Sequence, residues 1–291
     1  MKIASYLHQG VRSYGIVKTD GIIDLGSRLC HRYADLKSLL VAGELATARS
    51  YSEEKIDFTT QEIDYLPVIE NPGKILCAGM NYAEKRQEFG QTDPAPTLFI
   101  RFADSQTGHN TRLLKPYDSD QFDYEGELAI IIGTAGRHIS QADALSHIAG
   151  YSCYMDASVR DWQHAWFTAG KNWRNTGGFG PYLTTSDEID NPHNLMLRTR
   201  LNGTIVQQDN TCNMIHSIPY LIEYISTFTR ISAGDVIITG SPGGTGKMRR
   251  PPLFMQPGDR IEVDIEQVGH LINTVAEEPV VSEVFTGQRS I

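Results

Sequence analysis

Long apolar runs are missing from this chain of 291 residues. No stretch approaches the roughly 18 consecutive apolar residues of a membrane-spanning helix, so no membrane partner is expected. The opening MKIASYLHQG lacks both an apolar core and a small-residue cleavage site, and a cytoplasmic protein is the expectation. Cysteine is scarce and scattered. Cys30, Cys77, Cys153 and Cys212 form no CxxC pair, which argues against thiolate-bound zinc and fits buried thiols in a reducing compartment. Basic residues are outnumbered, 26 Lys and Arg against 35 Asp and Glu, and a formal net charge of -9 works against a polyanionic partner. The densest basic stretch, Lys247, Arg249 and Arg250 ahead of Pro251 and Pro252, has no aromatic residue for base stacking and reads as a loop. Nucleic acid is therefore not expected as a partner.

The remaining composition is globular, 40% hydrophobic and 21% charged, with length for one large or two unequal domains. Residues 2 to 24 alternate in short runs (KIASYL, SYGIVKT, GIIDLG) joined by glycine turns, which predicts hairpins. ADLKSLLVAG has helical spacing, and Pro67, Pro72 and Gly73 then mark a boundary near residue 70. A small β-rich domain over residues 1–70 and a larger one over 71–291 are expected. Strand-like runs dominate the larger part: KILCAG, TLFIRF, ELAIIIG, IAGYSCY, DVIITG and RIEVDI. Helical patterns are fewer, notably ISQADALSHI with Ser140 as cap and MIHSIPYLIEYISTF with Pro219 near its start. SAGD and QPGD each set Gly-Asp ahead of a β-branched run, so the last third should be largely antiparallel. Without regular βα alternation, a mixed β-rich (α+β) fold is expected in place of a doubly wound sheet or TIM barrel.

The chemistry concentrates in DYEGELAIIIG. Period-two geometry puts Asp123, Glu125 and Glu127 on one side of a strand that then runs apolar on both faces. Stacked like charges entering a buried strand repel one another and lose hydration, and a bound divalent cation relieves both. The plainer reading is a solvated edge whose charge discourages aggregation. With oxygen donors and no His or Cys nearby, an ion there would be hard: Mg²⁺, Mn²⁺ or Ca²⁺. Asp156, in SCYMDASVRDWQ, stands between a strand-like run and a helix-like one. It could aim into a site or serve as a turn acid, with Ser158 and Asp161 patterned as a capping box just beyond.

Taken in order, CAGMNYAEKRQE, YEGELAIIIG, YMDASVRDWQ, GKNWRNTGGFGP, LNGTIVQQDNTCNMI and GDVIITGSPGGTG with a closing PGD turn resemble the fumarylacetoacetate hydrolase superfamily, from about Lys74 to Val275. The resemblance implies a β-roll catalytic domain after a small N-terminal domain, commonly as a homodimer. It also implies a metal held by Glu125, Glu127 and Asp156, with Asp123 beside them and not ligating. Lys171 is placed next to the metal, where an ammonium can polarise a carbonyl or steady an enolate; on its own it would be a solvated surface lysine. Residues 240 to 246, GSPGGTG, come to the site as well, where Ser241, Gly243, Gly244 and Thr245 could offer backbone N–H groups to a carboxylate. A phosphate loop is excluded, because Ser241 stands at the first glycine position and Met248 at the Ser/Thr position; a tight turn is the plainer reading.

The chain departs from the resemblance where many members carry NYxxHxxE, a His and Glu pair that activates water. Here Asn81-Tyr82-Ala83-Glu84-Lys85-Arg86-Gln87-Glu88 keeps Glu88 and puts Lys85 at the histidine position. Lysine serves as a base only when its pKa falls from about 10.4 toward neutrality; a helical i, i+3 pair with Glu88 is the plainer role. Arg101-Phe102 replaces a frequent Lys-Pro, Met155 the usual Asn and Arg174 a frequent Asp, and the added arginines favour a substrate with carboxylates. The leading expectation is a metal-dependent hydrolase that cleaves a carbon-carbon bond in a small 1,3-dicarbonyl 2-oxo acid. Glu88 and Lys85 would assist water, Lys171 would support the enolate, and Tyr82, Arg101, Arg174 and the glycine loop would hold substrate. Decarboxylation, tautomerisation or isomerisation of a related 2-oxo acid is the second reading, and a catalytically silent oxo-acid binding protein the third.

Overall fold

The alternating runs at the start of the chain form the predicted hairpins. Strands Lys2–His8 and Val11–Lys18 pair antiparallel from Ile3↔Ile16 to His8↔Val11, and Gly21–Asp24 adds to the second. The two-residue turn between the first pair has Gln9 at φ 50 and Gly10 at φ 79, left-handed values at both positions, which match the twist of the strands they join. This computed structural model describes residues 1–279. Residues 280 to 291, the end of the larger expected domain, lie outside the described residues.

Lys2–His8 also pairs with Gly177–Thr185, so the N-terminal strands continue one large sheet. That sheet runs through Gly177–Thr185, Ile148–Asp156, Gly126–Ile132 and Val236–Ile238 to Ile75–Gly79 and Thr97–Arg101. Most pairings are antiparallel; Val236–Ile238 beside Ile75–Gly79 is parallel. The strand that reads apolar on both faces, Gly126–Ile132, is buried at every position because packed cores cover both sides. Leu128, Ile130 and Ile132 enter one core, and Ala129 and Ile131 enter another shared with Ile3, Ile16, Leu36 and Leu39. Each fully buried isoleucine there contributes about 1.5–3 kcal/mol.

A second sheet, Thr204–Asn210, Met196–Leu201, Arg260–Ile265, Gly269–Glu277 and Arg112–Lys115, packs its Leu197, Val263 and Leu271 into the first core. The four strands drawn from the last third are antiparallel as expected, and the fifth joins in parallel. Both Gly-Asp turns behave alike: Gly234 and Gly258 take φ of 81 and 95, and the following aspartates accept from Ser232 N–H (2.9 Å) and Gln256 N–H (2.7 Å). The mixed, sheet-rich class is therefore the observed one. Helix Ile218–Phe228 starts at Ser217, whose hydroxyl accepts from Tyr220 N–H. The helix expected at ISQADALSHI shrinks to one 3₁₀ turn, Ala144–His147, whose N-cap position is Asp143, and Ser140, three positions earlier, gives its hydroxyl to the Asp143 side chain. No helix among the described residues is long and apolar enough to cross a membrane. All four cysteines are free, with Cys77 and Cys153 buried as expected and Cys30 and Cys212 exposed.

One histidine makes the packing pH-sensitive. His109 Nδ1 accepts from Ile272 N–H at 3.1 Å, which ties Gly269–Glu277 to the neighbouring loop and requires that nitrogen to be unprotonated. Burial, with His270 nearby, pushes its pKa from 6.5 down to about 4. The unfolded chain therefore binds a proton that the folded chain refuses, so stability is full above pH 6.5 and falls as pH drops toward 4. About 2 kcal/mol should be lost over that window. Melting scans at pH 7.5 and 4.5 should show a smaller drop in His109→Gln, whose amide oxygen can accept the same proton without titrating.

Candidate metal centre

Strand register brings three carboxylates together. Gly126↔Met155 and Glu127↔Tyr154 are antiparallel partners, and one step further Asp156 N–H donates to Glu125 O at 2.8 Å. Asp156 thus stands opposite Glu125, and residues opposite one another share a face with those two positions along the strand. One oxygen from each of Glu125, Glu127 and Asp156 lies within 4.8 Å of the others, and all three residues are buried. The glycine between the glutamates is a packing requirement: a Cβ at Gly126 would sit 2.1 Å from Thr199 Oγ1 of the second sheet. Asp123 stays outside the group. It accepts from Gly246 N–H (2.7 Å), Lys247 N–H (3.1 Å) and Arg160 Nε (2.8 Å), and so ties the glycine loop to the strand.

The repulsion expected among these acids is largely met by cations of the protein. Lys85 Nζ and Arg160 Nη2 each donate to Glu125 Oε1 at 2.5 Å, and Lys171 Nζ donates to Glu125 Oε2 at 2.6 Å. Lys171 Nζ also bonds Asp156 Oδ2, while Arg101 Nη1 donates to Asp156 Oδ1 at 2.5 Å. Glu127 differs. It takes Gly240 N–H on Oε2 at 2.6 Å and pairs with no cation among the described residues. Burial opposes ionisation of Glu125, yet Arg160, Lys171 and Lys85 together hold its carboxyl well below the usual range. Burial, Asp156 and Glu125 push the Glu127 carboxyl well above it. For Lys85, burial with Arg160 and Lys171 wins over Glu125 and pulls the ammonium down; for Lys171, Asp156 and Glu125 outweigh burial and raise it.

A cavity opens on this cluster, lined by Lys85, Arg160, Lys171, Glu125, Glu127 and Ser241 and closed by Phe89, Phe99 and Phe167. The aromatic rings cap the cations: Lys171 Nζ lies 5.0 Å from the Phe99 centroid and Lys85 Nζ 5.3 Å from that of Phe89. The open space is about 30 Å³, room for an ion or ordered water and well short of a substrate-sized ligand. A bigger hollow of about 350 Å³ beside Arg12, Asp35 and Glu70 has its one lining arginine paired with Glu70 at 2.8 Å and gathers no group of metal-ligating side chains. Three hard oxygen donors, one of them buried without a countercharge, suit Mg²⁺, Mn²⁺ or Ca²⁺, and no His or Cys competes.

Residues 74–276 match the model of the fumarylacetoacetate (FAA) hydrolase C-terminal domain. The chain belongs to the fumarylacetoacetate hydrolase family. It is 39% identical to the human protein named oxaloacetate tautomerase FAHD2A, mitochondrial, over 74% of this chain and 70% of that one. Among solved structures it resembles the fumarylacetoacetate hydrolase of Exiguobacterium antarcticum, at 32% identity and a TM-score of 0.82, covering 96% of this chain and 100% of that one. The maleylpyruvate hydrolase of Sphingobium sp. SYK-6, solved with manganese (II) ion and pyruvate, shares the fold at 24% identity and a TM-score of 0.82, over 96% and 100% of the two chains.

Against the family pattern, the residues singled out from the sequence scatter in instructive ways. Lys85 makes no pair with Glu88; its Nζ turns inward to Glu125 and to Ser241 Oγ at 3.0 Å. Glu88 faces the glycine loop, accepting from Gly244 N–H at 2.8 Å, and is absent from the cavity wall. Arg101 lies behind Asp156 with Thr176 on its Nη2 (2.7 Å), where it orients the aspartate and does not reach the cavity. Tyr82 and Thr245 are fully buried, their hydroxyls without a partner among the described residues, and Gly243 packs on Glu84. Arg174 is exposed on the outside near Phe102, Asp104 and Asn172. Ser158 bonds Asp156 O and Asp161 accepts from Ser119, so the capping box does not form.

Two residues that sequence reasoning did not single out hold this cluster in place. Arg160 bridges Asp123 and Glu125, and its signal was the basic residue four positions after Asp156. Asn81 is a buried clasp: its Nδ2 donates to Thr239 O (2.8 Å) and His216 O (3.0 Å), and its Oδ1 accepts from His216 N–H (2.8 Å). It thereby fixes the start of helix Ala83–Glu88, and hence Lys85, against the end of strand Val236–Ile238. Gly240, at φ 98, is held to glycine because a Cβ would sit 2.7 Å from Asn81 Cβ; its N–H is the one that Glu127 uses.

Proposed function

We propose that this chain catalyses the keto–enol shift of a small 2-oxo diacid, with oxaloacetate the first compound to try, and that Glu125, Glu127 and Asp156 hold a hard divalent cation for it. The observation that carries a proton shift over hydrolysis is the placement of Lys85 and Glu88. Lys85 is committed to Glu125 and Ser241, and Glu88 to Gly244 N–H, so the two side chains expected to activate water are not joined. Hydrolysis must strip a proton from a water beside the substrate. Tautomerisation moves a proton between the substrate's own carbon and oxygen and has no need of that pair. The name of the human relative supports the same choice.

When bound, the cation would supply Lewis-acid polarisation of the 2-oxo group and a template for the adjacent carboxylate. Lys171 Nζ, kept protonated by Asp156 and Glu125 despite its burial, presents a fixed positive charge to the oxygen on which enolate charge collects. Arg101 holds Asp156 in place from behind. Lys85 Nζ and Ser241 Oγ, which also line the cavity, hold exchangeable protons. Phe89, Phe99 and Phe167 exclude bulk water, which strengthens each of these interactions.

The test is product analysis. With Mg²⁺, enol oxaloacetate should convert to the keto form on the order of 10² times faster than in buffer or more, with mass unchanged. A chelator should abolish the effect. Carbon dioxide release from oxaloacetate, or two acids from an acylpyruvate at a greater efficiency, would replace this reading with the decarboxylase or hydrolase one.

A further inference from the structure

We infer that Lys85 sets the charge of the ligand this site accepts, reserving it for dianions. The inference rests on the metal-dependent reading above and deepens it. Eight buried charged side chains meet in the cluster, Asp123, Glu125, Glu127 and Asp156 against Lys85, Arg101, Arg160 and Lys171. Counted with every acid ionised, as a ligated triad requires, and every base protonated, four of each sign cancel. A divalent cation on the acidic triad then leaves two positive charges in excess, in a setting where water cannot screen them. A ligand with two negative charges cancels that excess; a ligand with one leaves a buried positive charge without a partner.

Lys85 is the member of the set that decides this balance. Arg101 is locked behind Asp156 and Thr176, outside the cavity. Arg160 is needed by Asp123 as well as by Glu125. Lys171 is shared between Glu125 and Asp156. Lys85, by contrast, lines the cavity, and its one carboxylate partner keeps Arg160 and Lys171 if Lys85 is removed. Its other contact, Ser241 Oγ, is neutral. Neutralising Lys85 therefore changes the charge offered to the ligand by one while leaving no carboxylate unpaired that was paired before.

Oxalate and oxamate test this, because they are nearly the same shape, chelate through the same kind of oxygens and differ by one charge. Their affinities are measured by titration calorimetry in saturating Mg²⁺, alongside Mg²⁺ alone, for the unaltered protein and for Lys85→Met, Lys85→Gln and Lys85→Arg. The preference for oxalate over oxamate should fall at least about tenfold in Lys85→Met and Lys85→Gln and return in Lys85→Arg, and Mg²⁺ alone should bind the two neutral variants about tenfold more tightly. If Mg²⁺ binds but the oxalate preference is the same in all four proteins, the role of Lys85 is overturned and the metal-dependent reading stands. If Mg²⁺ binds none of them, both fall together. Lys85→Gln keeps a bond to Ser241 and serves where Lys85→Met does not fold.

Discussion

Glu127→Gln should remove divalent-metal binding and catalysis while leaving the metal-free protein at least as stable as before. Glu127 is the one carboxylate of the triad without a cationic partner of its own among the described residues, and burial beside Asp156 and Glu125 makes its ionised form costly. A carboxyl whose pKa is raised on folding opposes the folded state increasingly as pH climbs above its ordinary range. A glutamine has no charge to bury, and its amide oxygen can still accept from Gly240 N–H, so about 1 kcal/mol or more of stability should be gained at pH 7.5. The same change deletes one of three anionic donors. Mn²⁺ affinity should fall more than about 100-fold, and turnover by on the order of 10³. Melting with and without Mn²⁺ reads both effects at once. The unaltered protein should gain several degrees with the ion, and the variant should start higher and gain nothing.

Lys171→Met should have the opposite signature. Its ammonium is fully buried and serves Glu125 Oε2 and Asp156 Oδ2 together, so deletion strands two buried carboxylate oxygens without a donor. Breaking a buried pair from one side costs about 3–5 kcal/mol. The metal-free variant should therefore melt well below the unaltered protein. A divalent ion restores positive charge between the same two carboxylates, so Mg²⁺ should recover much of that stability. Turnover should not recover, because the fixed charge facing the enolate oxygen is gone; a loss of about 10²–10³ in kcat is expected in saturating Mg²⁺. Parallel recovery of stability and activity would make Lys171 a structural countercharge only.

The site also divides into what the sequence discloses and what it does not. Period two alone puts Glu125 and Glu127 on one face, and the two-sided apolar run after them announces a strand covered on both sides. Asp156 was another matter. Its position opposite Glu125 depends on the pairing of Gly126–Ile132 with Ile148–Asp156, which carries an irregularity at Ile131/Ile132, and a slip of one residue would have turned it to the other core. Only the resemblance supplied it. An arginine in a sequence suggests a substrate contact because a guanidinium matches a carboxylate, but the carboxylate that Arg101 matches belongs to the protein. Arg174, in a block that does hold Lys171, lies on the outer surface, since a short loop presents successive side chains in different directions. The aromatic wall is invisible for a similar reason: Phe89 follows helix Ala83–Glu88, Phe99 lies in strand Thr97–Arg101 and Phe167 precedes the helical turn Thr168–Lys171.

The central claim is that Glu125, Glu127 and Asp156 share one hard cation, and anomalous diffraction from a crystal soaked in Mn²⁺ tests it directly. A single strong peak within coordination distance of an oxygen from each of the three, with Lys171 Nζ displaced from between Glu125 and Asp156, is the predicted result. A difference map with no anomalous peak at the triad in crystals shown to contain the ion, or a peak held by other residues, would contradict it.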